Sequence, residues 1–303
     1  MFSRIISGAG YYLVYPLIYL LSISPFWLMY LFSDFLYVLF YYVVGYRKEI
    51  VLTNLRNAFP EKNEQEIKTL CKKFFKYLCD LFLETFKTLT ISKKEMLKHC
   101  FMTESAKQTF AKHAADEKNV IIVMGHFGNW EWSGNTFSMQ CKQQLFVIYH
   151  ALSNKYFDGL MYKMRTRFGT KLFEMNDTLR SMISNRKTLN ATAFIADQTP
   201  SASNAYWTNF LNQDTPIFWG TEKIARKLNY PIVYVSVKKI KRGYYNIFAE
   251  TIVQEPDKTA DGEISEIHTR RLEKDILEQP ETWLWSHRRW KYKRPELNLN
   301  NEP

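Results

Sequence analysis

The sequence predicts an α/β protein with a mixed, largely parallel sheet flanked by helices, preceded by a hydrophobic, membrane-associated helical region. Three observations carry this expectation. Runs such as Val120-Ile-Ile-Val-Met124 have no polar face, as in strands buried on both sides. Segments with apolar residues three and four apart separate these runs, and strands alternating with helices imply parallel pairing. From Met1 to Tyr46 the only charged side chains are Arg4 and Asp34.

Composition narrows the function classes. Of 303 residues, 46% are hydrophobic and 23% charged, which excludes general disorder. Aromatics reach 16% and the net charge is +11. Such a chain suits nucleic acid, a membrane surface or an acidic partner. Cys71, Cys79, Cys100 and Cys141 show no CxxC spacing and no accompanying His pattern. Free buried thiols are expected, with no zinc site and no disulfide scaffold.

The apolar leader comes first. It is longer than the roughly 20 residues of a spanning helix. It lacks the basic start and small-residue cleavage site of a signal peptide. Pro16, Pro25 and Asp34 interrupt it, so two shapes fit: one tilted span over Tyr11–Tyr30 with an interfacial helix after it, or a re-entrant pair turning at Ser22–Pro25. Its many Tyr and Trp rings suit the headgroup level. Basic residues begin at Arg47 and Lys48 and cluster at Lys68, Lys72, Lys73 and Lys76, which places the rest of the chain on the cytoplasmic side. Two units follow: a membrane-associated segment, 1–46, and a catalytic domain, 47–303.

Residues 61–90 read as a helix opening at Pro60–Glu61, since Ile67, Leu70, Phe74, Phe75 and Leu78 recur at helical spacing. Ser92 caps a second helix. Strands are expected at Val120–Met124, Leu145–Tyr149, Asn190–Ala196 and Pro231–Val237, with an antiparallel or edge strand at Tyr244–Glu250. Helices are expected at Leu160–Phe168, Leu179–Asn185 and Gly220–Leu228.

The chemistry-bearing stretch is MGHFGNWEWSGN, Met124–Asn135. On one continuous helix, His126 and Glu131 would lie about 140° apart. The motif makes better sense across a strand end and a helix start, where α/β proteins place their sites. His126 then sits in the turn and Glu131 in the first helical turn. Histidine exchanges protons near neutral pH, and a carboxylate on its other ring nitrogen fixes the tautomer. Glu131 is the expected carboxylate. GxSxG is absent, so the nucleophile would come from the substrate. Alone, this spacing also fits a capping glutamate beside an ordinary loop histidine.

Further stretches carry a family resemblance. VLTNLRNAFPE (Val51–Glu61), GHFGNWE, a helix with Arg165 and Arg167 before Gly169, IADQTPS (Ile195–Ser201), GTEKIARKLNYPIVYV (Gly220–Val235) and WLWSHRRWKYKRP (Trp283–Pro295) together resemble the bacterial lipid A biosynthesis acyltransferases. These lauroyl and myristoyl transferases belong to the lysophospholipid acyltransferase superfamily, whose members share a His-x4-Asp/Glu block. The resemblance covers about residues 50–295. It departs at NFLNQDTPIFWG, where Phe210-Leu211-Asn212 and Ile217-Phe218-Trp219-Gly220 replace the usual pattern.

The resemblance implies transfer of a fatty acyl chain from an acyl-carrier-protein or acyl-CoA thioester to a hydroxyl of a lipid A precursor or related glycolipid. His126 and Glu131 would be catalytic. Arg167, preferred over Arg165, would hold the oxyanion or a phosphate. Asp197 and Gln198 would support the substrate site. Trp285, His287, Arg288, Arg289 and Lys291 would contact lipid headgroups. No metal or bound cofactor is needed, since the acyl donor is itself a substrate. Partners would be the acyl carrier protein, a glycolipid or phospholipid acceptor and membrane lipids, at the cytoplasmic face of the inner membrane. Nucleic acid is not expected, because no helix-turn-helix, RRM or zinc pattern accompanies the basic run. An amino-acid lipid or glycerophospholipid acceptor, a lipid hydrolase and a non-enzymatic membrane-anchored binding protein remain alternatives.

Overall fold

The faceless apolar runs form the centre of the sheet. The structure is a computed structural model that describes residues 2–202 and 205–294, with the backbone alone for residues 2–9. Residues 295–303, which include Pro295 of the terminal basic run, lie outside the described residues. Helices α1 (Phe2–Ile23), α2 (Phe26–Val38, continued by a π turn over Leu39–Val44), α3 (Lys48–Ala58), α4 (Glu64–Lys87) and α5 (Lys93–His99) precede a short strand β1 (Cys100–Met102) and α6 (Glu104–Ala115). Then come β2 (Val120–Met124), α7 (Trp130–Gln140), β3 (Gln144–Tyr149), α8 (Lys155–Thr166), β4 (Lys171–Glu174), α9 (Thr178–Ser184) and β5 (Asn190–Ile195). A hairpin of β6 (Ala205–Phe210) and β7 (Gln213–Phe218) leads to α10 (Trp219–Leu228), β8 (Ile232–Lys241), β9 (Tyr244–Val253) and α11 (Glu263–Glu278).

The seven-stranded sheet has the order β1-β9-β8-β2-β5-β3-β4. Every neighbouring pair is parallel except β8 with β9. All five residues of β2 are buried at the sheet's centre. The strand expected at Tyr244–Glu250 is antiparallel and runs on to Val253, but β1 covers its outer side. β1 and β4 escape sequence reading because three- and four-residue strands are too short to show a period. The stretch NFLNQDTPIFWG forms the turn and second strand of this hairpin and enters α10 at Trp219. Leu211 and Asn212 turn it at φ 50° and 62°, the conformation of a two-residue primed turn.

The helix expected from Glu61 starts instead at Glu64, because Asn63 closes a capping box. Its side chain accepts from the Gln65 and Glu66 amides at 3.0 Å, and the Glu66 carboxylate accepts from the Asn63 amide at 2.8 Å. Ser92 caps α5 as expected, accepting from the Glu95 amide.

The apolar leader folds as two helices broken at Ser24–Pro25, so no single helix runs over Tyr11–Tyr30. Both α1 and α2 lie against α4. Lys87 donates to the carbonyls of Ser22 and Ser24 at 2.8 and 2.6 Å and so closes the C-terminus of α1. Ser33 donates to Asp80 at 2.7 Å, and Arg242 in the β8–β9 turn bridges Asp80 and Asp34. The opposite face of the pair is apolar and bare: Leu13, Trp27 and Val43 are 80%, 69% and 73% exposed.

The seam beneath α2 centres on Glu84, which is buried. Its carboxylate accepts from the Tyr30 and Tyr245 hydroxyls at 2.8 and 2.7 Å and from the Asn129 amide at 2.8 Å. Burial first, then the nearby Asp80, push its pKa up to about 7 against the pull of those hydroxyls. The folded state therefore binds this proton more tightly than the unfolded chain does. Stability from this group is lost as pH rises from about 4.5 to about 7. Urea unfolding of the parent and of Glu84→Gln across this window should show the parent losing stability relative to the variant as pH rises. A gap moving the other way contradicts the assignment.

Candidate active site

Strand register assembles the site. Met124 of β2 pairs with Ile195 of β5, and the Ala196 amide donates to the Met124 carbonyl at 3.0 Å. Two residues beyond each partner stand His126 and Asp197, side by side at the carboxyl ends of adjacent parallel strands. Asp197 Oδ2 accepts from the His126 backbone amide at 2.8 Å, and Oδ1 lies 2.6 Å from His126 Nδ1. The Trp283 indole donates to Oδ2 at 2.8 Å. Burial opposes ionisation of Asp197, but the His126 charge, its two hydrogen bonds and the Trp283 indole outweigh it and hold the carboxyl down at about 2. An ionised Asp197 only accepts, so Nδ1 carries a proton toward it, and in the neutral ring Nε2 is the nitrogen with the lone pair.

Asp197, not Glu131, is thus the carboxylate on the histidine ring. Glu131 lies in the first turn of α7, as the motif predicts, but its carboxylate faces α8. Arg165 grips it with both forks, Nε at 3.0 Å and Nη2 at 2.6 Å. Burial would raise the Glu131 pKa, but the Arg165 charge and hydrogen bonds bring it below the usual range.

Arg167 does not reach the site. Two residues on a helix differ by about 200°, so it points away from Arg165 and caps the end of α4, donating to the Thr88 carbonyl and to the Ile91 carbonyl at 2.7 Å. Arg165, not the Arg167 that the sequence favours, is therefore the arginine beside Glu131.

The turn carrying His126 is held from several sides. Gly128 has φ 59°, and a Cβ there would stand 1.7 Å from the Val237 carbonyl oxygen, so only glycine fits. Its amide donates to the Thr282 carbonyl at 3.0 Å and its carbonyl accepts from Tyr77 at 2.6 Å. Asn129 caps α7 by accepting from the Trp132 amide while donating to Glu84. The Trp130 ring meets the His126 ring edge-on with centroids 5.0 Å apart.

His126, Glu131 and Arg165 line a cavity of about 550 Å³. It runs between α7 and the sheet to core residues such as Met102, Phe110, Val235 and Ile247. Gln198 also lines it, with Nε2 3.4 Å from His126 Nε2. Phe218 and Gly220, from the stretch that departs from the family pattern, border it too. Among the described residues, no three His, Cys, Asp or Glu side chains converge as a metal site. The site thus sets a histidine and an ion-paired guanidinium on the wall of a largely apolar cavity.

The terminal run behaves differently from its sequence reading. Trp285 and Arg289 are 0% exposed and so contact no headgroup. The Trp285 indole donates to the Pro280 carbonyl at 2.6 Å, and Arg289 Nη2 donates to the Pro216 carbonyl at 2.6 Å. His287 is partly buried, takes the Thr199 hydroxyl at 3.2 Å and has its pKa pushed down to about 4 by burial, so it supplies no charge near neutrality. Arg288 and Lys291 are exposed. Interleaved rings and cations look alike in sequence whether they line a surface or fill a core. Nothing in the run marks Trp283 as a partner of Asp197.

Comparison with known proteins identifies a family. Residues 2–292 match the family described as "Bacterial lipid A biosynthesis acyltransferase". The chain is 22% identical over 247 residues to the lipid A biosynthesis palmitoleoyltransferase of Escherichia coli (strain K12), covering 81% of this chain and 79% of that protein. It is likewise 22% identical, with the same coverage, to the lipid A biosynthesis acyltransferase of Shigella flexneri.

The Glu131 side chain is 11% exposed, so Arg165→Met strands a nearly buried carboxylate. That should cost about 3–5 kcal/mol in chemical unfolding, and adding Glu131→Leu should restore most of it. Arg167→Met, which removes cap contacts at the surface, should cost only about 1 kcal/mol.

Proposed function

The chain belongs to the bacterial lipid A biosynthesis acyltransferase family, and from that premise we propose that it moves a fatty acyl chain from an acyl-carrier-protein or acyl-CoA thioester to a hydroxyl of a lipid A precursor. The observation that carries this reading is the His126 ring, held at Nδ1 by Asp197 and lining a largely apolar cavity with Nε2 turned from that carboxylate, with the Arg165 guanidinium on the same cavity wall. The acyl chain lies in the channel and brings its thioester carbonyl to the mouth. His126 Nε2 takes the proton of the acceptor hydroxyl as its oxygen bonds to the carbonyl carbon. Arg165, oriented by Glu131, faces the negative charge that develops on the carbonyl oxygen. The C–S bond then breaks, and the thiolate takes the proton from the His126 imidazolium. Asp197 steadies that imidazolium and keeps the ring in its reactive tautomer. Glu131 serves catalysis through Arg165, and Gln198 supports the substrate. No bound cofactor or metal enters this scheme.

Residues 1–46 act as the membrane-associated segment and 47–303 as the acyltransferase domain. The bare apolar face of α1 and α2 suits hydrocarbon. The stretch Phe26–Val44 has the length and composition of a spanning helix, yet α2 also packs on α4, which suits a re-entrant pair beneath a surface-bound domain. The exposed lysines Lys68, Lys72, Lys73 and Lys76 on α4 adjoin it, with Lys76 5.2 Å from the Tyr37 ring centroid. They suit anionic lipid on the cytoplasmic face of the inner membrane. The net charge of +11 suits an acidic carrier protein.

Single-turnover transfer from an acyl-carrier-protein thioester to a lipid A precursor is the direct test. His126→Ala should lower the rate about 10²–10⁴-fold in a protein whose melting curve matches the parent, and Arg167→Ala should leave it near parental. Parental turnover by His126→Ala would end this mechanism. The membrane reading is separable. The full chain should remain with membranes after high-salt and carbonate washing, and replacing Leu13, Leu17, Trp27 and Leu31 by glutamine should release it without loss of fold.

A further inference from the structure

Behind the His126–Asp197 pair lies a second cavity of about 10 Å³, lined by Asp197, Tyr234, His268, Thr269, Leu272 and Arg289 among others. That volume holds about one water molecule. Three buried polar atoms on its wall residues have no hydrogen-bond partner: Nε and Nη1 of Arg289 and Nε2 of His268. A fully buried guanidinium is costly unless another charge offsets it, and the acid acting on Arg289 is Asp197. Asp197 uses three of about four acceptor positions, two from His126 and one from Trp283. A group bridging the two must accept from Arg289 and donate to a carboxylate. An anion would be repelled by Asp197 and a cation by Arg289, whereas water does both.

We propose that Arg289 is a positioning residue for the proton transfer at His126, hydrogen-bonded to Asp197 through a single water in this cavity. The proposal rests on reading His126 as the base. The order is then guanidinium, water, carboxylate, imidazole. A fixed positive charge behind Asp197 keeps it a carboxylate while His126 holds the substrate proton. It also weakens the hold of Asp197 on the imidazolium, so that the proton can pass on to the departing thiolate. The groups facing Asp197 are His126 from the β2–α7 turn, Tyr234 from β8, His268 from α11, and Trp283, His287 and Arg289 from the terminal run. Tyr234 donates to Asp275 at 2.8 Å, and Asp275 has its own cations in Lys238 and Arg271 at 3.8 and 3.7 Å. Arg289 is thus the permanent cation of this set.

The test uses the full chain in detergent. In Arg289→Met, loss of the cation favours the protonated imidazole. The acid limb of the single-turnover pH profile should move to higher pH by roughly one unit, with a fall in maximal rate. Arg289→Lys keeps a charge there and should leave the limb in place while lowering the rate. A merely structural role would lower rate or stability in both variants and move neither limb. NMR titration of His126 in the resting protein should show the same displacement for Arg289→Met without any turnover. That separates failure of this proposal from failure of the acyl-transfer reading. If Arg289→Met does not fold, a high-resolution crystal structure of the parent decides. An ordered water bonded to both Arg289 and Asp197 supports the array; a dry cavity, or Arg289 paired directly with another acid, overturns it.

Discussion

Two parallel strands in register, β2 and β5, carry the arrangement on which the rest depends. Because Met124 stands opposite Ile195, the chain delivers a histidine from one strand end and an aspartate from the next to the same point. Asp197 then does three things with one carboxylate. It fixes the His126 backbone, fixes the ring, and anchors the Trp283 indole of the terminal run. A shift of one residue between these strands would turn every side chain to the opposite face and dissolve all three contacts together.

Around that pair the structure separates two charges by function. Glu131 and Arg165 neutralise each other at the channel wall, where a bidentate grip leaves the guanidinium immobile yet still 30% exposed. In the proposed reaction immobility matters, because a cation that is already oriented needs no reorganisation when charge develops beside it.

The leader is joined to the same turn through polar contacts beneath α2. Tyr30 of α2 and Asn129 at the cap of α7 meet on the Glu84 carboxylate. An unpartnered donor in this seam would be costly, so α2 has one favourable seating on α4. The seating of α2 and the geometry of the His126 turn are consequently coupled through the Glu84 carboxylate.

Much of the architecture was legible in the sequence, since it follows from local period and composition. The faceless run Val120–Met124, the helical spacing along α4, the cap at Ser92 and the break near Pro25 each depend on neighbours in the chain. The position of His126 in a turn and of Glu131 in the first turn of a helix was equally readable, because Gly128 and Asn129 carry specific turn and cap chemistry. Pairings across the chain were not. Which carboxylate meets His126 depends on strand register, and the sequence separation of 71 residues between His126 and Asp197 leaves no local trace. Whether Arg165 or Arg167 faces the channel depends on the rotation of α8 against α7. The terminal run is the sharpest case: alternating tryptophan and arginine describes a headgroup surface and a packed core equally well. Only tertiary packing, by burying Trp285 and Arg289 and leaving Arg288 and Lys291 in solvent, decided which residues of that run belong to the interior.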